Sequence, residues 1–513
     1  MPPKLTKTKS KASDKAEVYR IKLLIISFVD DNFGDNLIRI CFKNLLGTVL
    51  ENLGVAEDGY LIDTMPLKAI DEDLIRKSDY IFFAGGGLFG LSYLGFCDYV
   101  DRITELAEES NIPVIFSSLG INNMNATSKN ENILKDILKR KCIKSISARE
   151  NIQAFKRYTD RFEIELVCDP GVWTKYVYNL NTTDTTDIIG INVVRGGLFK
   201  SNYKSWKLKD ELEYLYKLRS LLHGSNLKCK FYTNGSSLDN NALRYFVQEY
   251  DITDDEVIYP HTTKDLVETI AGFKAVAAIR MHSSIIAYSF RIPSIALAWN
   301  DKIPFFYQSI SCPDKALGFS NWDSTIVFKE LKSMLLAKRA VEPDLVYECY
   351  LMSLYQYLYR VVSEYVLEKT AKDNDRYDFN EVVCHLSKAV NYPDENEFDL
   401  RYKIERTEKR YLARFTELII KKEEIVELKE TIRAQKEHVF QSKEEAVHLK
   451  KIIKTQGIQT AQLRKEITRS EVAAKTQGAQ IVRLEEELTR INGLVIIRIL
   501  NYAKRKIRHL LHH

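Results

Sequence analysis

A chain of 513 residues is too long for one ordinary hydrophobic core, so its length predicts two or three domains. Apolar residues make up 45% of it and charged residues 28%, and no apolar run approaches the roughly 18 residues that a membrane-spanning helix needs. Residues 1–20 contain five lysines and no apolar signal core, which indicates a disordered basic tail and favours a cytoplasmic protein.

The formal net charge of +5 is concentrated at one end of the chain. Residues 488–513 hold six lysines and arginines and no acid, so the rest of the chain sums to about −1 (5 − 6). Nucleic-acid binding is disfavoured, because the basic excess is not spread over a folded face. The eight cysteines occur singly and the histidines form no chelating pair, so we expect reduced thiols and no metal site.

The first predicted strand, residues 22–30, runs directly into the turn Asn-Phe-Gly-Asp, which begins at Asn32. Gly34 permits a tight turn, and Asp35 or Asn36 can cap the helix that follows. A strand-to-helix turn of this kind needs no further role.

A glycine segment follows the third predicted strand, residues 79–84. Gly85, Gly87 and Gly90 fit Gly-x-Gly-x-x-Gly, the dinucleotide fingerprint. The segment follows the third strand instead of the first, and no acid ends the next strand to hold a ribose, so NAD binding is disfavoured. We expect Gly85, Gly86 and Gly87 to let backbone amides approach a ligand or a neighbouring domain.

Alternating strands and helices continue along the chain and predict a parallel sheet covered on both faces. In the first half, two later strands end at Arg149 and Asp169, and we assign residues 21–180 to a Rossmann-like domain. The pattern restarts after a polar linker, with Arg195 in a glycine-bearing loop, and residues 186–328 form the second Rossmann-like domain. A cleft between two such halves is a common place for a small-molecule site.

The most informative stretch is an apolar run that ends at Arg280 and His282, followed by a helix, a second apolar run and Lys302. In open parallel sheets ligands bind at the carboxyl ends of strands. Arginine offers a planar fork for carboxylate or phosphate, and the start of the helix adds partial positive charge. The stretch therefore predicts a site for a small anion, although Arg280 paired with a nearby acid and a half-buried His282 would give the same spacing.

The remaining residues predict helices. Residues 329–400 form a tyrosine-rich helical extension that packs on the α/β core, and residues 404–492 form a coiled coil. From Ile425 to Ile491 one heptad register continues without a break, with 14 of its 20 a and d positions apolar. We expect a homo-oligomer through this coil. Residues 493–513 form a basic amphipathic tail that would lie on an anionic membrane surface or pack within the oligomer.

In this order, the motifs resemble those of the polysaccharide pyruvyl transferase family over roughly residues 21–308. The resemblance rests on the following segments: Asn-Phe-Gly-Asp from Asn32, Gly85-Gly86-Gly87, Ser118-Leu119-Gly120, Ala148-Arg149-Glu150, Asp169-Pro170, Arg280-Met281-His282, and Lys302. It implies two Rossmann-like domains facing across a cleft, as in glycosyltransferases of the B type. The predicted coiled coil is outside the resemblance.

What the resemblance implies is transfer of a pyruvyl group from phosphoenolpyruvate to two hydroxyls of a sugar, giving a ketal and phosphate. Phosphoenolpyruvate would be the donor substrate, with no cofactor, and the acceptor a glycan or lipid-linked saccharide of a cell-surface polysaccharide. Arg280 would bind one anionic group of the donor and Lys302 and Arg195 the other, while His282 would bind the donor or supply a proton. Asp35 would accept a sugar proton and Asp169 would orient the acceptor. Candidate contacts on the first half are the following residues: Asn32, Gly34, Gly85, Gly86, Gly87 and Arg149.

Two other functions fit the same architecture. A glycosyltransferase that uses a nucleotide sugar needs an acid near the end of the second domain to hold a ribose, and Asp301 is a candidate. A non-catalytic α/β module displayed on a coiled-coil scaffold needs no site at all. Donor binding separates the three hypotheses. An enzyme acting on lipid-linked sugars could also associate with the inner face of the membrane.

Overall fold

The computed structural model describes residues 20–29, 32–90, 96–122, 126–180, 186–194, 208–336, 344–368, 378–388, 430–449 and 460–510. The chain divides into two compact units, Met1–Asp394 and Glu395–His513. Within the described ranges, every helix is too short or too polar to span a bilayer.

The first half of the first unit is built on a six-stranded parallel sheet. Its strands, with a small two-stranded sheet beside them, are β1 (Ile21–Ser27), β2 (Tyr60–Pro66), β3 (Tyr80–Ala84), β4 (Phe89–Gly90), β5 (Val114–Leu119), β6 (Ile121–Asn122), β7 (Ile143–Ala148) and β8 (Glu165–Leu166). The main sheet has the order β2-β1-β3-β5-β7-β8, and β4 pairs with β6. The helices are α1 (Phe33–Asn52), α2 (Glu72–Arg76), α3 (Phe96–Glu109), α4 (Ser128–Lys139), α5 (Ile152–Lys156) and α6 (Thr174–Val177).

A second six-stranded parallel sheet follows in the order β11-β10-β9-β12-β13-β14. Its strands are β9 (Ile188–Asn192), β10 (Lys228–Tyr232), β11 (Val257–Ile258), β12 (Ala275–Ala278), β13 (Ser294–Leu297) and β14 (Ala316–Leu317). Its helices are α7 (Leu208–Gly224), α8 (Ser237–Tyr250), α9 (Thr263–Ala271), α10 (Met281–Ser289), α11 (Lys302–Ser309) and α12 (Ser324–Leu336). The predicted fold class, two Rossmann-like α/β halves, is confirmed.

The strand order fixes where a ligand can bind. In each sheet the chain starts at an inner strand, fills one side and then crosses to the other, so the order reverses between β1 and β3 and again between β9 and β12. Crevices form at the carboxyl ends of strands at such reversals, because the loops on the two sides diverge. The loops at these four strand ends include the Asn32 turn, the Gly85–Gly87 segment and the Arg280–His282 segment.

The described part of the tyrosine-rich extension packs on both halves. It consists of α13 (Asp344–Val361), a π-helical turn (Val362–Val366) and α14 (Phe379–Lys388). The Tyr357 hydroxyl donates to Ser145 Oγ on β7 at 2.9 Å, and the Tyr347 hydroxyl donates to the Ser289 carbonyl on α10 at 2.8 Å. Because both tyrosine rings are almost fully buried, α13 contacts the two halves through apolar rings with satisfied hydroxyls.

The second unit contains two long helices, α15 (residues 430–449) and α16 (Thr460–Leu510). Lys436 Nζ lies 2.5 Å from Glu485 Oε1. A straight helix would separate two residues 49 positions apart by about 70 Å, so α15 and α16 are not parts of one continuous rod.

The covered face of these helices agrees with the predicted heptad register. The buried side chains all fall at its a or d positions and are the following: Ile432, Ala446, Ile467, Ala474 and Ile481. The rest of the predicted 404–492 coil, at residues 404–429 and 450–459, is outside the described residues. Because the two helices of one chain already pair, oligomerisation through the coil stays a prediction.

Candidate active site

The Asn32 turn begins α1 in a way that differs from the prediction. The cap of α1 is Asn32, whose Oδ1 accepts from the Gly34 amide at 3.1 Å, while its Nδ2 donates to Asp35 Oδ2 at 3.1 Å. Asp35 and Asn36 lie inside the helix, so the prediction that either one caps it was wrong. The physical reason is that Asn32 has extended backbone angles and a side chain short enough to reach the first turn.

His282 lies in the first turn of α10 and packs directly on this turn from the opposite half. A Cβ added to Gly34 would come within 2.5 Å of His282 Cβ and Cγ, so only glycine fits there. His282 Nδ1 is 4.0 Å from Asp35 Oδ1. Its other ring nitrogen, Nε2, is buried and has no hydrogen-bond partner in the part of the chain that the structure describes. The two halves therefore meet at an imidazole with one unsatisfied nitrogen.

The environment of His282 favours the neutral ring. Burial lowers its pKa to about 4, the Asp169 carboxylate opposes this effect, and the cations Arg149, Lys302 and Arg280 lower it further. The histidine is therefore uncharged at neutral pH in the unliganded protein. An anion bound beside it would raise its pKa again.

This low pKa predicts how stability depends on pH. The unfolded chain, with a histidine pKa near 6.5, binds a proton between pH 6.5 and 4 that the folded protein does not, so the free energy of unfolding falls as pH falls through that window. From pH 7.5 to pH 5 we expect His282 to contribute a loss of about 2 kcal/mol, which His282→Gln abolishes. Urea unfolding followed by tryptophan fluorescence measures the difference, because all four tryptophans are within residues 1–394. An equal loss in both proteins would contradict the low pKa.

Lys302, the first residue of α11, reaches across to the glycine segment of the first half. Its Nζ occupies the space that a Cβ on Gly87 would need, so this glycine also admits a side chain from the opposite half. Within the described residues, the ammonium group makes no hydrogen bond or ion pair. Burial lowers the pKa of Lys302, although the carboxylates of Glu150, Asp35 and Asp169 raise it. It is a partly buried cation near Glu150, Asp35 and Asp169, and among the described residues none of these acids forms an ion pair with it.

Arg149 is held by acids of the protein itself. Its Nη1 bonds to Asp169 and its Nε lies 3.4 Å from Glu150 Oε2, and all three side chains are at least 96% buried. Asp169 Oδ1 also accepts from the Gly171 amide at 2.8 Å. The predicted substrate residues Arg149 and Asp169 are thus brought together, but as partners of one another. The sequence motif includes Glu150, whose place in this group was not predicted.

Arg280 is also paired. Its Nε and Nη2 donate to the two oxygens of Asp239 at 2.9 and 2.8 Å, and Asp239 is fully buried on α8. The Arg280 amide donates to Asn192 Oδ1 at 2.9 Å. One edge of the guanidinium, formed by Nε and Nη2, is therefore bound to a carboxylate of the protein, as the simpler interpretation of the sequence allowed. We infer that Arg280 fixes the start of α10, which carries His282.

Phe33 of the first half contacts the second half beside the site. The Phe33 amide donates to the Asn234 carbonyl at 2.9 Å, and the Phe33 ring lies where a Cβ on Gly235 would be. Gly235 has φ of +86°, which glycine adopts without strain. Asn234, at the end of β10, also accepts from Ser283 Oγ at 2.8 Å. The sequence did not identify Asn192, at the end of β9, or Asn234, after β10, as residues of the site, although each ends a buried apolar run.

Gly85 and Gly86 have φ of +55° and +75°, so the chain needs glycine there for its backbone shape. A Cβ on Gly85 would lie 2.6 Å from Ile38 Cγ2. These two glycines therefore shape the loop, and Gly85 packs it on α1. Arg195, predicted to bind the donor, lies outside the described residues.

A group with metal-ligand chemistry lies apart from this site. Among the described residues, His223, Cys229 and Glu256 bring their ligand atoms within 4.8 Å of one another. Arg219 already donates to both oxygens of Glu256, at 2.7 and 2.6 Å. Its guanidinium repels a cation and occupies the carboxylate, so this group does not fit a metal site.

Among the described residues, the two α/β halves thus meet at an imidazole whose Nε2 has no hydrogen-bond partner and at an ammonium group that makes no hydrogen bond or ion pair. The sequence profile of the family described as polysaccharide pyruvyl transferase matches residues 12–301, which is more than half of the chain. The chain belongs to the polysaccharide pyruvyl transferase family, and it is therefore a transferase. Comparison with curated proteins returns no significant match.

Solved structures of sugar enzymes are similar to the chain. The UDP-GlcNAc 2-epimerase of Methanocaldococcus jannaschii is 12% identical, with 67% of this chain and 99% of that chain covered and a TM-score of 0.42. The UDP-GlcNAc 2-epimerase of Neisseria meningitidis, bound to UDP-GlcNAc, is 9% identical, with coverages of 68% and 100% and a TM-score of 0.42. A family 9 glycosyl transferase of Veillonella parvula is 14% identical, with coverages of 69% and 99% and a TM-score of 0.26. Likeness at this level says nothing about the activity of this chain.

Proposed function

We propose that the protein transfers the pyruvyl group of phosphoenolpyruvate to two hydroxyls of a sugar in a polysaccharide or its precursor. The observation that supports this most directly is the pair Lys302 and His282 in a member of this family. One is a cation without a bonded counter-ion in the described residues, and the other has a buried, unpartnered nitrogen. A donor that carries phosphate and carboxylate groups beside a protonatable double bond would use both.

Lys302 is the residue we assign to the donor's anionic groups. A phosphate oxygen placed at its ammonium group would gain a charge-assisted hydrogen bond that the protein itself does not supply. Arg195, outside the described residues, keeps its predicted place beside it. Arg280 and Arg149 hold Asp239 and Asp169, so we assign them to orienting the site and to its positive potential.

His282 is the residue we assign to proton transfer. An opposite charge within about 4–6 Å raises a histidine pKa by roughly 1–3, so the bound donor would bring the His282 pKa from about 4 toward neutrality. The imidazolium would protonate the methylene carbon of the donor and turn it into a methyl group. The carbon that carries phosphate then becomes the electrophile.

The remaining steps balance as follows. A first sugar hydroxyl attacks this carbon, and its proton passes to a base, for which Asp35 is our candidate because it lies 4.0 Å from His282 Nδ1. A second hydroxyl then displaces phosphate, which leaves with the second proton. The products are a ketal that bridges two sugar oxygens and inorganic phosphate, and no cofactor is consumed.

The donor assignment is tested by thermal shift with the full chain. Phosphoenolpyruvate at a hundred times its Kd should stabilise the folded state by about 2.7 kcal/mol, because it binds that state alone. We expect a rise of a few degrees in Tm with phosphoenolpyruvate and none with a panel of nucleotide sugars. Stabilisation by a nucleotide sugar alone would contradict the proposal and favour a glycosyltransferase.

A further inference from the structure

The end of α16 exposes a cluster of apolar side chains. Four of them, all 50–57% exposed, fall within seven residues: Leu494, Ile496, Ile497 and Leu500. By contrast Ile481, on the heptad seam of the same helix, is 6% exposed. Exposed apolar residues are ordinary when they are scattered, but four in two helical turns form a patch that marks an interaction surface.

Exposed basic side chains lie within this patch and one turn after it. Arg498 lies within it and Lys504 follows one turn after Leu500, and both are exposed. Residues 488–513 contain six lysines and arginines and no acid, so nothing on the same stretch of sequence neutralises them. The surface thus combines long apolar side chains with a single sign of charge on a helix that continues to Leu510.

We propose that the end of α16, from Leu494 to Leu510, binds the surface of a bilayer that contains anionic phospholipids. A helix of this composition lies in the plane of the interface, with apolar side chains among the acyl chains and basic side chains at the headgroups. The helix is too polar to span the bilayer, which is consistent with peripheral binding. This surface is independent of the proposed donor chemistry.

The combination of charge and apolar side chains favours lipid over other occupants. A second copy of the same segment would bring five positive charges against five, which is repulsive. A nucleic acid would neutralise the charges but would leave the isoleucines and leucines in water. An anionic bilayer satisfies both requirements, because its headgroups attract the cations and its acyl chains accept the apolar groups.

The test is co-sedimentation of the full chain with vesicles. We expect binding to phosphatidylcholine mixed with phosphatidylglycerol, little binding to phosphatidylcholine alone, and weaker binding as NaCl screens the charges. The partition coefficient should fall about fivefold for Arg498→Gln and for Lys504→Gln. It should fall about tenfold for Ile496→Ser and for Leu500→Ser.

Matched controls are Val472→Ser and Val482→Ser, which remove exposed valines from the same helix outside the patch and should bind as the wild type does. Phosphoenolpyruvate binding in solution should be unchanged in every variant, and circular dichroism checks that the helix remains. Failure of the wild type to bind the mixed vesicles, or equal binding by Ile496→Ser, would overturn the proposal. Capture of RNA that Ile496→Ser leaves intact would also overturn it, and would assign the segment to a polyanion.

Discussion

The His282→Gln variant is expected to lose about a thousandfold in kcat while it keeps its fold, because proton transfer by a positioned side chain contributes about 10²–10⁴. Glutamine fills a similar volume and is uncharged, as His282 is at neutral pH in the unliganded protein. It cannot deliver a proton to the donor. Phosphate release from phosphoenolpyruvate in the presence of an acceptor glycan measures the rate, and thermal unfolding reports the fold.

The pH profile separates proton transfer from a structural role. The reactive form of His282 is the protonated one, so kcat should fall as pH rises above the pKa of His282 in the donor complex. The residual activity of His282→Gln should lack this descending limb. His261, an exposed histidine in the loop before α9, provides the control, and His261→Gln should match the wild type. Activity of His282→Gln within tenfold of wild type would rule out the assigned role.

The fold could be predicted because strands of a covered parallel sheet are marked by unbroken apolar runs. Leu23, Leu24, Ile25 and Ile26 of β1 are at most 1% exposed, and their run is unmistakable in the sequence. Strand β8 is shorter than its apolar run predicts. The apolar run before Asp169 predicts a full strand, but β8 is only Glu165–Leu166, since it lies at the sheet edge and pairs with β7 alone.

The sequence predicted where the candidate site residues lie along the chain, but not which residues they bind in the fold. Arg280, His282 and Lys302 all lie at strand ends, which periodicity alone indicates. That Asp239 binds Arg280 depends on a contact between a residue on α8 and the residue that precedes α10, 41 positions apart, and no local pattern encodes it. Ion pairing of this kind decides how much of each cation remains for a ligand.

Substituting Lys302 should separate ligand binding from stability. Lys302→Met removes the ammonium group that we assign to the donor, and a lost charge-assisted hydrogen bond of about 3 kcal/mol raises the Kd for phosphoenolpyruvate about a hundredfold. The same change should leave Tm equal to or above that of the wild type. Burial lowers the pKa of Lys302, so the folded protein tolerates its charge less well than water does, and methionine has no charge to desolvate.

Isothermal titration with phosphoenolpyruvate and thermal unfolding of the same samples test both parts. Lys217→Met is the matched control, because Lys217 is an exposed lysine on α7 that pairs with Glu213, and its loss should change neither quantity appreciably. An unchanged Kd in Lys302→Met would remove Lys302 from the donor site. A large fall in Tm would mean that the nearby carboxylates of Glu150, Asp35 and Asp169 depend on this cation for their own stability. Weaker binding together with undiminished stability is the result that the assignment requires. A cation that binds the donor, and no acid of the protein, costs desolvation free energy in the unliganded protein and stabilises only the complex.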